Sequence, residues 1–249
     1  MKATTTVPAG EPAARDGGGS LRDGAEIRRL ARAEGLMPAI SRLHGAVLGD
    51  ALPCGPSGHA VVPAELADGC PSLWAGGAVV PRDREKETVL HTLEVPEGGT
   101  VVALRCEGSA RGETHPRWVL GLAWLRWGLS ERLLDACLEY LGSRSAGDAK
   151  LLHQQMVKGR VADALIEHLE IGAMLDGPRP PGPQPPGPEP LGASALAHLH
   201  EQITAADRML LRLLGASSFL AAGPGQTARI SELIADVYTG PARDGGEDA

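Results

Sequence analysis

Aromatic residues are scarce in this 249-residue chain, which contains one Phe, two Tyr and four Trp. The core must therefore be built from Leu, Ala, Val and Ile. Cysteine is equally sparse: the four cysteines are widely spaced and form no CxxC pair. The N-terminal residues also lack the apolar segment of a secretory signal. Together these absences predict reduced, mostly buried thiols in a cytoplasmic protein.

The sequence also lacks an excess of positive charge, since its net charge is −7, and no basic stretch exceeds two or three residues. This argues against a nucleic-acid partner and against a polybasic membrane anchor. The most apolar segment, residues 118–141, contains five charged residues. A bilayer span would not tolerate them, so the segment is predicted to be a soluble helix without a membrane partner.

The sequence contains no GxSxG, Walker or GxGxxG pattern. His198 and His200 are two residues apart, and His153 and His168 are fifteen apart. Neither pair has the i, i+4 spacing that places two ligands on one helix face. The sequence therefore predicts no metal site.

The chain divides by composition into five segments. Residues 1–22 are predicted to be a disordered leader, and residues 23–52 to hold short helices near 25–34 and 38–52. Four short apolar runs follow, at 59–62, 77–80, 88–95 and 100–106. Turn residues separate them, and PEGGT at 96–100 is typical of a hairpin turn. Residues 53–112 are therefore predicted to form a small β-domain.

Helical periodicity dominates residues 113–240. We predict helices over 118–141, 148–175, 194–214 and 227–238. The proline-rich segment 177–192 can form neither helix nor ladder strand, so it is predicted to be an extended linker. Residues 241–249 are predicted to be a disordered tail. The expected fold is mainly α with a small β-region, ending in a four-helix up-and-down bundle.

Three segments of this region resemble motifs of the acyl-CoA dehydrogenase superfamily. They are LGLAWLRWGLSERLLDACLEYLGSR at 120–144, HQQMVKGRVADALIEHLEIGAML at 153–175 and DRMLLRLLGASSF at 207–219. They are similar to the first bundle helix with its closing YxxxR, to the FQxxxxxLADM helix and to the QxxGGxGF segment. The resemblance implies a bundle of acyl-CoA dehydrogenase type behind the short β-domain.

The resemblance also implies FAD as cofactor, with a neighbouring subunit holding part of its pyrophosphate. Arg144 would be the pyrophosphate arginine, since its planar fork suits phosphate oxygens. Gln155 would be the polar residue on the next helix, and Gly215 with Ala216 would replace the glycine pair. Arg212 stands where the family has Gln, so it either pairs with phosphate or is a solvated charge. Arg144 can also be an ordinary positive charge at the C-terminal end of a helix, where it complements the helix dipole.

The motifs depart from the family pattern, because Ser-Ala-Gly-Asp replaces the QFG that follows the arginine. The Glu-Gly-Thr loop that carries the catalytic base is absent from the sequence after Asp236. The two remaining candidates for the base are Glu113, about one turn before Trp118, and Glu232. Glu113 can also be a negative charge before the start of a helix, where it is favourable to the helix dipole. Glu232 can also belong, with Asp236, to a solvent-exposed stripe of charge on the last helix.

Three functions follow as hypotheses. In the first, the chain is a non-catalytic supporting subunit of a flavin-dependent acyl-thioester dehydrogenase. It would then form a homo- or hetero-oligomer with a full-length acyl-CoA dehydrogenase. In the second, it is a stand-alone FAD-dependent dehydrogenase of acyl-CoA or acyl-carrier protein with a diverged base. In the third, it is a non-enzymatic scaffold or interaction protein. The lost FAD-binding residues favour the third hypothesis over the second. The retained bundle without a base suits the first, which we favour.

Overall fold

A computed structural model describes residues 21–108, 112–177, 191–221 and 223–240. The predicted tail lies outside these ranges, as do the leader before residue 21 and residues 178–190 of the predicted linker. The described residues form seven α-helices: Leu21–Glu34 (α1), Leu36–Val47 (α2), Ala64–Gly69 (α3), Pro116–Ser143 (α4), Gln155–Asp176 (α5), Ala193–Leu214 (α6) and Pro224–Thr239 (α7).

Eight short strands accompany the helices in the described part of the chain. They are Ala51–Pro53 (β1), His59–Pro63 (β2), Ser72–Ala75 (β3), Ala78–Pro81 (β4), Glu87–Glu94 (β5), Thr100–Cys106 (β6), Ser145–Ala146 (β7) and Ala149–Lys150 (β8). The strand order is β1-β3-β4 in one sheet, β2-β6-β5 in a second, and β7-β8 in a two-stranded hairpin. The fold is therefore mainly α with a small β-region, as predicted.

Helix α4 is the centre of the molecule. It begins with Pro116 at its first turn, where the missing N–H costs nothing, and the His115 ring accepts a hydrogen bond from the Arg117 amide at 3.2 Å. All eleven residues from Gly121 to Glu131 are buried. The sequence predicted one apolar face, but the structure buries this stretch on every side because α1, α2, α5, α6 and α7 surround α4.

Three glycines let the neighbouring elements approach closely along this axis. A Cβ at Gly128 would lie 2.3 Å from the Arg28 carbonyl oxygen, and one at Gly121 would lie 2.1 Å from Leu43 Cδ1. On α5, a Cβ at Gly172 would lie 2.9 Å from the Trp127 ring. Such separations are too short for real Cβ atoms, so side chains at these positions would force the helices apart.

Side-chain pairs fix the direction of each bundle helix. Ser130 of α4 contacts His168 of α5, and Trp127, which is earlier in α4, packs on Gly172, which is later in α5. Arg126 contacts Ser231 of α7, and the earlier Trp118 contacts the later Tyr238. Both neighbours therefore run antiparallel to α4. Arg126 also contacts His200 of α6, while Cys137 contacts the carbonyl of Leu210, so α6 runs parallel to α4. The predicted up-and-down order of the four helices is confirmed. Among the residues that the structure describes, no helix has the length and apolarity that a bilayer crossing requires.

The predicted β-runs are all strands, and the predicted turn at 96–100 joins β5 and β6 as a hairpin. The Val95 amide donates to the Gly99 carbonyl at 3.0 Å, and Gly98 and Gly99 have the positive φ values that the turn requires. The sequence missed β1, β3 and α3, since elements of three to six residues carry too little periodicity to be recognised.

Several predicted helix bounds were wrong, including the start of α7, which is Pro224 rather than residue 227. The second helix ends at Val47 rather than at residue 52, because Gly49 adopts a φ of +59° and Ala51–Pro53 pairs as a strand. Helix α5 begins at Gln155 rather than at 148, because residues 145–150 form the β7–β8 hairpin around Gly147. Helix α1 begins at Leu21, two residues inside the predicted leader.

Tyr238, in the last turn of α7, joins the bundle to the β-region. Strand β2 is an edge strand, so one side of its backbone has no neighbouring strand. The Tyr238 hydroxyl accepts a hydrogen bond from the Val61 amide at 3.0 Å and lies 3.1 Å from the Val61 carbonyl oxygen. It therefore satisfies both backbone groups of Val61 on this edge. A hydrogen bond from Thr114 Oγ1 to the Tyr238 carbonyl adds a second connection at 2.9 Å.

The close approach at Gly128 makes a direct prediction. Gly128→Ala should lower the free energy of unfolding by about 1–3 kcal/mol, the usual cost of overpacking, despite the better helix propensity of Ala. Gly142→Ala is the matched control in the same helix, since a Cβ there meets no atom within 4 Å. It should raise stability by about 0.5–1 kcal/mol. Urea unfolding measures both, and equal effects of the two substitutions would refute the packing argument.

Candidate functional site

The course of the bundle brings the five predicted cofactor-binding residues to one end. Helices α4 and α6 end there, and α5 and α7 begin there. Arg144 directly follows α4, Gln155 is the first residue of α5, and Arg212, Gly215 and Ala216 lie at the end of α6. A buried apolar cluster from all four helices supports this end. It comprises Leu133, Leu134, Cys137, Leu141, Val161, Ala164, Leu210, Leu214 and Ala228.

Arg144 is exposed at the C-terminal end of α4. Its guanidinium lies over the Tyr140 ring, 4.6 Å from the ring centroid, and its carbonyl accepts a hydrogen bond from the Leu151 amide at 2.9 Å. Stacking on Tyr140 orients the planar fork without using its N–H donors. No carboxylate of the described ranges pairs with Arg144. The donors therefore remain available to an anionic group.

The other four predicted residues, at the same end of the bundle, are also exposed. Gly215 ends α6 with a φ of +55°, and its amide donates to the carbonyls of Leu211 and Arg212. This left-handed conformation explains why glycine is retained here. Ala216 continues into a 3₁₀ turn, Gly215–Phe219. The Arg212 side chain, like Arg144, has no ion pair with any carboxylate that the structure describes.

A cleft of about 750 Å³ opens where α1, α4, α7 and the β5–β6 turn meet. Its volume is within the range of small-molecule sites. Apolar residues of α4 and α7 form part of its lining, and charged residues of both signs complete it. The lining comprises Arg32, Glu34, Pro96, Glu97, Leu129, Arg132, Leu133, Asp135, Ala136, Glu139, Gly223, Pro224, Thr227 and Ala228.

The carboxylate of Glu97 is held within this cleft. It accepts hydrogen bonds from Thr227 Oγ1 at 3.1 and 3.2 Å, in the first turns of α7, where a negative charge is favourable. Arg132 Nε lies 3.4 Å from the same carboxylate, and Arg32 pairs with Asp135 at 3.0 Å. Both arginines of the cleft therefore already have carboxylate partners within the chain. The cleft offers no unpaired cation among its described residues to a phosphate.

The residues of the chain fit one part of an FAD and not another. The unpaired guanidiniums of Arg144 and Arg212 suit an anionic pyrophosphate. The junction between β2 and α7, however, is filled by the Tyr238 side chain. A Cβ at Gly55 would lie only 2.1 Å from the Val237 carbonyl oxygen, so the backbones are in contact there. The chain therefore fits the phosphate part of the group but leaves no room for a flavin ring at this junction.

The two base candidates do not lie beside the predicted phosphate residues. Glu113 is exposed just before α4, and the 28 residues of that helix separate it from Arg144 by roughly 40 Å at 1.5 Å per residue. Glu232 is half-buried near the middle of α7 and forms an ion pair with Arg208 of α6. Asp236, one turn further along, is exposed. The structure does not bring Glu113 to the same site as the five residues.

A buried polar cluster inside the bundle was missed by the sequence analysis. Arg126 is wholly buried and donates from Nε to Ser231 Oγ at 3.0 Å and from Nη2 to Thr204 Oγ1 at 2.8 Å. Its Nη1 lies 2.9 Å from His200 Nδ1. Burial lowers the pKa of Arg126 to about 10, although Asp207 opposes this shift. Burial, followed by the Arg126 charge, lowers the pKa of His200 to about 3.

Asp207 belongs to the same cluster. Burial raises the pKa of its carboxyl to about 7, although a hydrogen bond from Ser130 and the Arg126 charge act in the opposite direction. Its Oδ1 is buried and has no hydrogen-bond partner among the residues that the structure describes. Ser130 Oγ also lies 2.8 Å from His168 Nε2, and burial lowers the pKa of that histidine. The sequence carried one signal, since His200, Thr204 and Asp207 interrupt the apolar face of α6 at helical spacing.

The tryptophans and cysteines lie in the packed interior of the protein. Trp118, Trp124 and Trp127 are buried in the main core. Arg28 stacks on the Trp127 ring at 3.5 Å. All four cysteines are buried within the described ranges, and no disulfide joins them. The described parts of the chain contain no cluster of three or more His, Cys, Asp or Glu side chains that could hold a metal ion.

Comparisons with known proteins return acyl-CoA dehydrogenases. No protein-family model matches the sequence, and no curated protein does. A glutaryl-CoA dehydrogenase of Mycobacterium smegmatis in complex with FADH2 matches at 17% identity, covering 72% of this chain with a TM-score of 0.49. The steroid ACAD Tcur3481-Tcur3483 matches at 16% identity over 87%, TM-score 0.49, and the ChsE4-ChsE5 complex of Mycobacterium tuberculosis at 15% over 88%, TM-score 0.46.

The match covers 53% of the glutaryl-CoA dehydrogenase chain, so this chain spans about half of its length. For the steroid ACAD and the ChsE4-ChsE5 complex the corresponding shares are 71% and 70%. The identities are low, and the likeness concerns the fold alone.

The raised pKa of Asp207 predicts how stability depends on pH. Between the unfolded pKa near 4 and about 7, the folded state keeps a proton that the unfolded state releases. The contribution of Asp207 to the free energy of unfolding should therefore fall as the pH rises from 5 to 7. The neutral variant Asp207→Asn should gain on the wild type by up to about 1.4 kcal/mol per pH unit in this window. Urea unfolding of both proteins at pH 5, 6, 7 and 8 measures the difference.

The histidines of the cluster do not confound this comparison, because they are present in both proteins. Arg126, Ser130 and Glu232 are the other groups that act on the Asp207 carboxyl, and they too are unchanged. Asp176→Asn, an exposed substitution at the end of α5, is the matched control. A constant difference for Asp207→Asn would contradict the prediction.

Proposed function

We propose that this chain is a non-catalytic supporting subunit of a flavin-dependent acyl-thioester dehydrogenase. One observation carries the proposal: the bundle end bearing the family-like motifs presents Arg144 and Arg212 without carboxylate partners in the described residues. An exposed, unpaired guanidinium fork is suited to phosphate oxygens. In the proposed role, this end grips the pyrophosphate of an FAD that belongs mainly to the partner subunit.

The geometry of the motif residues supports this division of roles. Stacking on Tyr140 holds the Arg144 guanidinium against the last turn of α4, and the left-handed Gly215 keeps the backbone after α6 free of a Cβ. A phosphate can approach such a backbone closely. FAD would supply hydride acceptance from the acyl chain. This chain would only bind and orient the phosphate part of the cofactor.

Proton abstraction from the thioester is assigned to the partner subunit. Glu113 lies a full helix length from the phosphate-binding end, and Glu232 is paired with Arg208. A general base must reach the proton that it removes, within hydrogen-bond distance or through one water. Neither carboxylate meets this condition for a flavin held at the bundle end. The buried cysteines without disulfides suit the reducing cytoplasm in which we place the complex.

The second candidate function is that of an interaction scaffold. A separate observation favours it. Helix α5 exposes large apolar side chains, including Ile166 and Leu169. Contiguous exposed apolar surface marks interaction sites. A scaffold would use this surface without binding flavin. A stand-alone dehydrogenase has less support, because Tyr238 and Glu97 occupy positions between the β-region and the bundle.

Flavin retention by a reconstituted complex tests the proposal. The chain purified alone should be colourless. Co-expressed with a full-length acyl-CoA dehydrogenase as candidate partner, it should co-purify with FAD, seen in the flavin absorbance bands. Arg144→Glu and Arg212→Glu should each weaken FAD retention by about tenfold or more, since a charged hydrogen bond contributes about 1.5–3 kcal/mol.

Arg105→Glu is the matched control, because Arg105 is an exposed arginine on β6, away from the bundle end. It should leave FAD retention unchanged. Equal losses in all three variants would show a general charge effect and overturn the assignment. A yellow protein purified alone would support the stand-alone dehydrogenase. A complex that forms without any flavin would support the scaffold.

A further inference from the structure

Cys54 and Cys106 bring two thiols into contact inside the β-region. Cys54 directly follows β1 of the first sheet, and Cys106 is the last residue of β6 in the second sheet. Their side chains are hydrogen-bonded to each other, although they are far apart in the sequence. Both residues are buried in the apolar core of the β-region. The two sheets therefore meet at a pair of sulfur atoms.

Backbone hydrogen bonds hold the two cysteines on either side of a short turn. The Cys54 amide donates to the Trp74 carbonyl at 3.0 Å, and the Cys106 amide donates to the Gly58 carbonyl at 2.8 Å. The turn between them is closed by the Gly58 amide, which donates to the Gly55 carbonyl at 3.0 Å. Because both backbones are fixed by these bonds, the contact between the thiols is set by the fold.

The direction of the hydrogen bonds distinguishes the two thiols. Cys54 Sγ donates to the Gly55 carbonyl at 3.7 Å, so within the pair Cys106 donates and Cys54 accepts. The hydrogen bond with Cys54 and burial both raise the pKa of the Cys106 thiol, whereas the Arg82 charge acts in the opposite direction. Cys106 therefore keeps its proton, and its S–H group stabilises a thiolate on Cys54. Cys54 is thus the attacking sulfur of the pair.

The other two cysteines have different surroundings. Cys70 precedes β3, and its Sγ lies 3.6 Å from His44 Nε2. Cys137 belongs to the core of the bundle, where its Sγ donates to the Leu210 carbonyl at 3.9 Å. The fold therefore assigns Cys54 and Cys106 to each other. Two thiols already in contact need only a small side-chain rotation to reach disulfide geometry.

We propose that Cys54 and Cys106 form a reversible disulfide when hydrogen peroxide reaches them through local opening of the β-region. The Cys54 thiolate, its proton lost to solvent, attacks one peroxide oxygen. The S–O bond forms, the O–O bond breaks, and the leaving hydroxide takes up a proton to become water. The Cys106 sulfur then attacks the Cys54 sulfenic acid, so that the S–S bond forms, the S–O bond breaks and a second water leaves with the Cys106 proton. The two thiols lose two electrons, and the peroxide gains them.

The disulfide joins the two sheets beside the Tyr238 anchor. The carbonyl of Pro53, next to Cys54, lies 3.5 Å from the Tyr238 hydroxyl, which also binds the Val61 amide of β2. A cross-link here closes a long loop of the chain and restricts the unfolded state. Oxidation therefore locks the β-region at its junction with α7, and reduction releases it. The disulfide is independent of the proposed flavin function, since neither FAD nor a partner subunit takes part in it.

Peroxide treatment of the folded full chain tests the pair. Hydrogen peroxide, removed with catalase before denaturation, should lower the number of thiols titrated in denaturant from four to two. Mass spectrometry after alkylation and non-reducing digestion should find peptides linked through Cys54 and Cys106, lighter by two hydrogens. Dithiothreitol should restore all four thiols. Unchanged thiols, a link that involves Cys70 or Cys137, or a sulfinic acid in place of the link would overturn the proposal.

Alanine variants test the order of the two steps. Cys106→Ala should accumulate a sulfenic acid on Cys54, trapped by dimedone, because the resolving thiol is missing. Cys54→Ala should give no such adduct on Cys106. The matched control is the double variant Cys70→Ala with Cys137→Ala, which should still form the cross-link. An adduct on Cys106 but not on Cys54 would contradict the assignment of the attacking sulfur.

Thermal unfolding measures the lock. The oxidised wild type should melt about 5–10 °C above the reduced protein, and dithiothreitol should reverse the shift. Peroxide should not raise the melting temperature of Cys54→Ala. If an alanine variant fails to fold, the comparison of oxidised with reduced wild type still decides. A cross-linked protein that melts at or below the temperature of the reduced one would show a strained bond and refute the lock.

Discussion

The structure depends on the burial of helix α4 on all sides. Such a helix must let its neighbours approach closely. Gly128 permits this against the backbone of α1, and Gly121 permits it against the Leu43 side chain of α2. It must also neutralise the charges that it carries into the interior. Glu131 receives two hydrogen bonds from Arg28, at 2.7 and 2.5 Å, and a third from Arg32. Without these partners an unpaired buried carboxylate would cost several kcal/mol.

The same central helix separates the possible functional groups. Its C-terminal end places Arg144 beside the beginning of α5 and the end of α6, where family-like motifs meet. Its N-terminal end places Glu113 at the other side of the molecule. Between them, the buried cluster around Arg126 and Asp207 ties α4 to α6 and α7. This cluster fixes the directions of the three helices, and these directions keep Glu113 and Arg144 at opposite ends of the bundle.

Much of the fold could be predicted from the sequence, since α6 and the β5–β6 hairpin are marked by strong periodicity and by a glycine-rich turn. The region of 145–150 could not, because a two-residue hairpin leaves no pattern and its flanking residues suit a helix. For the site, the motifs located the residues of the bundle end. They could not show that Glu97 pairs with Arg132 and Thr227, since those residues are far apart in sequence and meet only through packing.

The hydroxyl of Tyr238 has a consequence for the behaviour of the protein in concentrated solution. An edge strand with free amides and carbonyls is a template onto which a strand of another molecule can add. Strand β2 is such an edge, and His59–Pro63 is rich in β-branched residues. The last turn of α7 covers it at Val61. Fraying of this single turn would expose the Val61 amide and carbonyl on the edge of β2. The C-terminal end of α7 therefore protects the chain from intermolecular strand addition and aggregation.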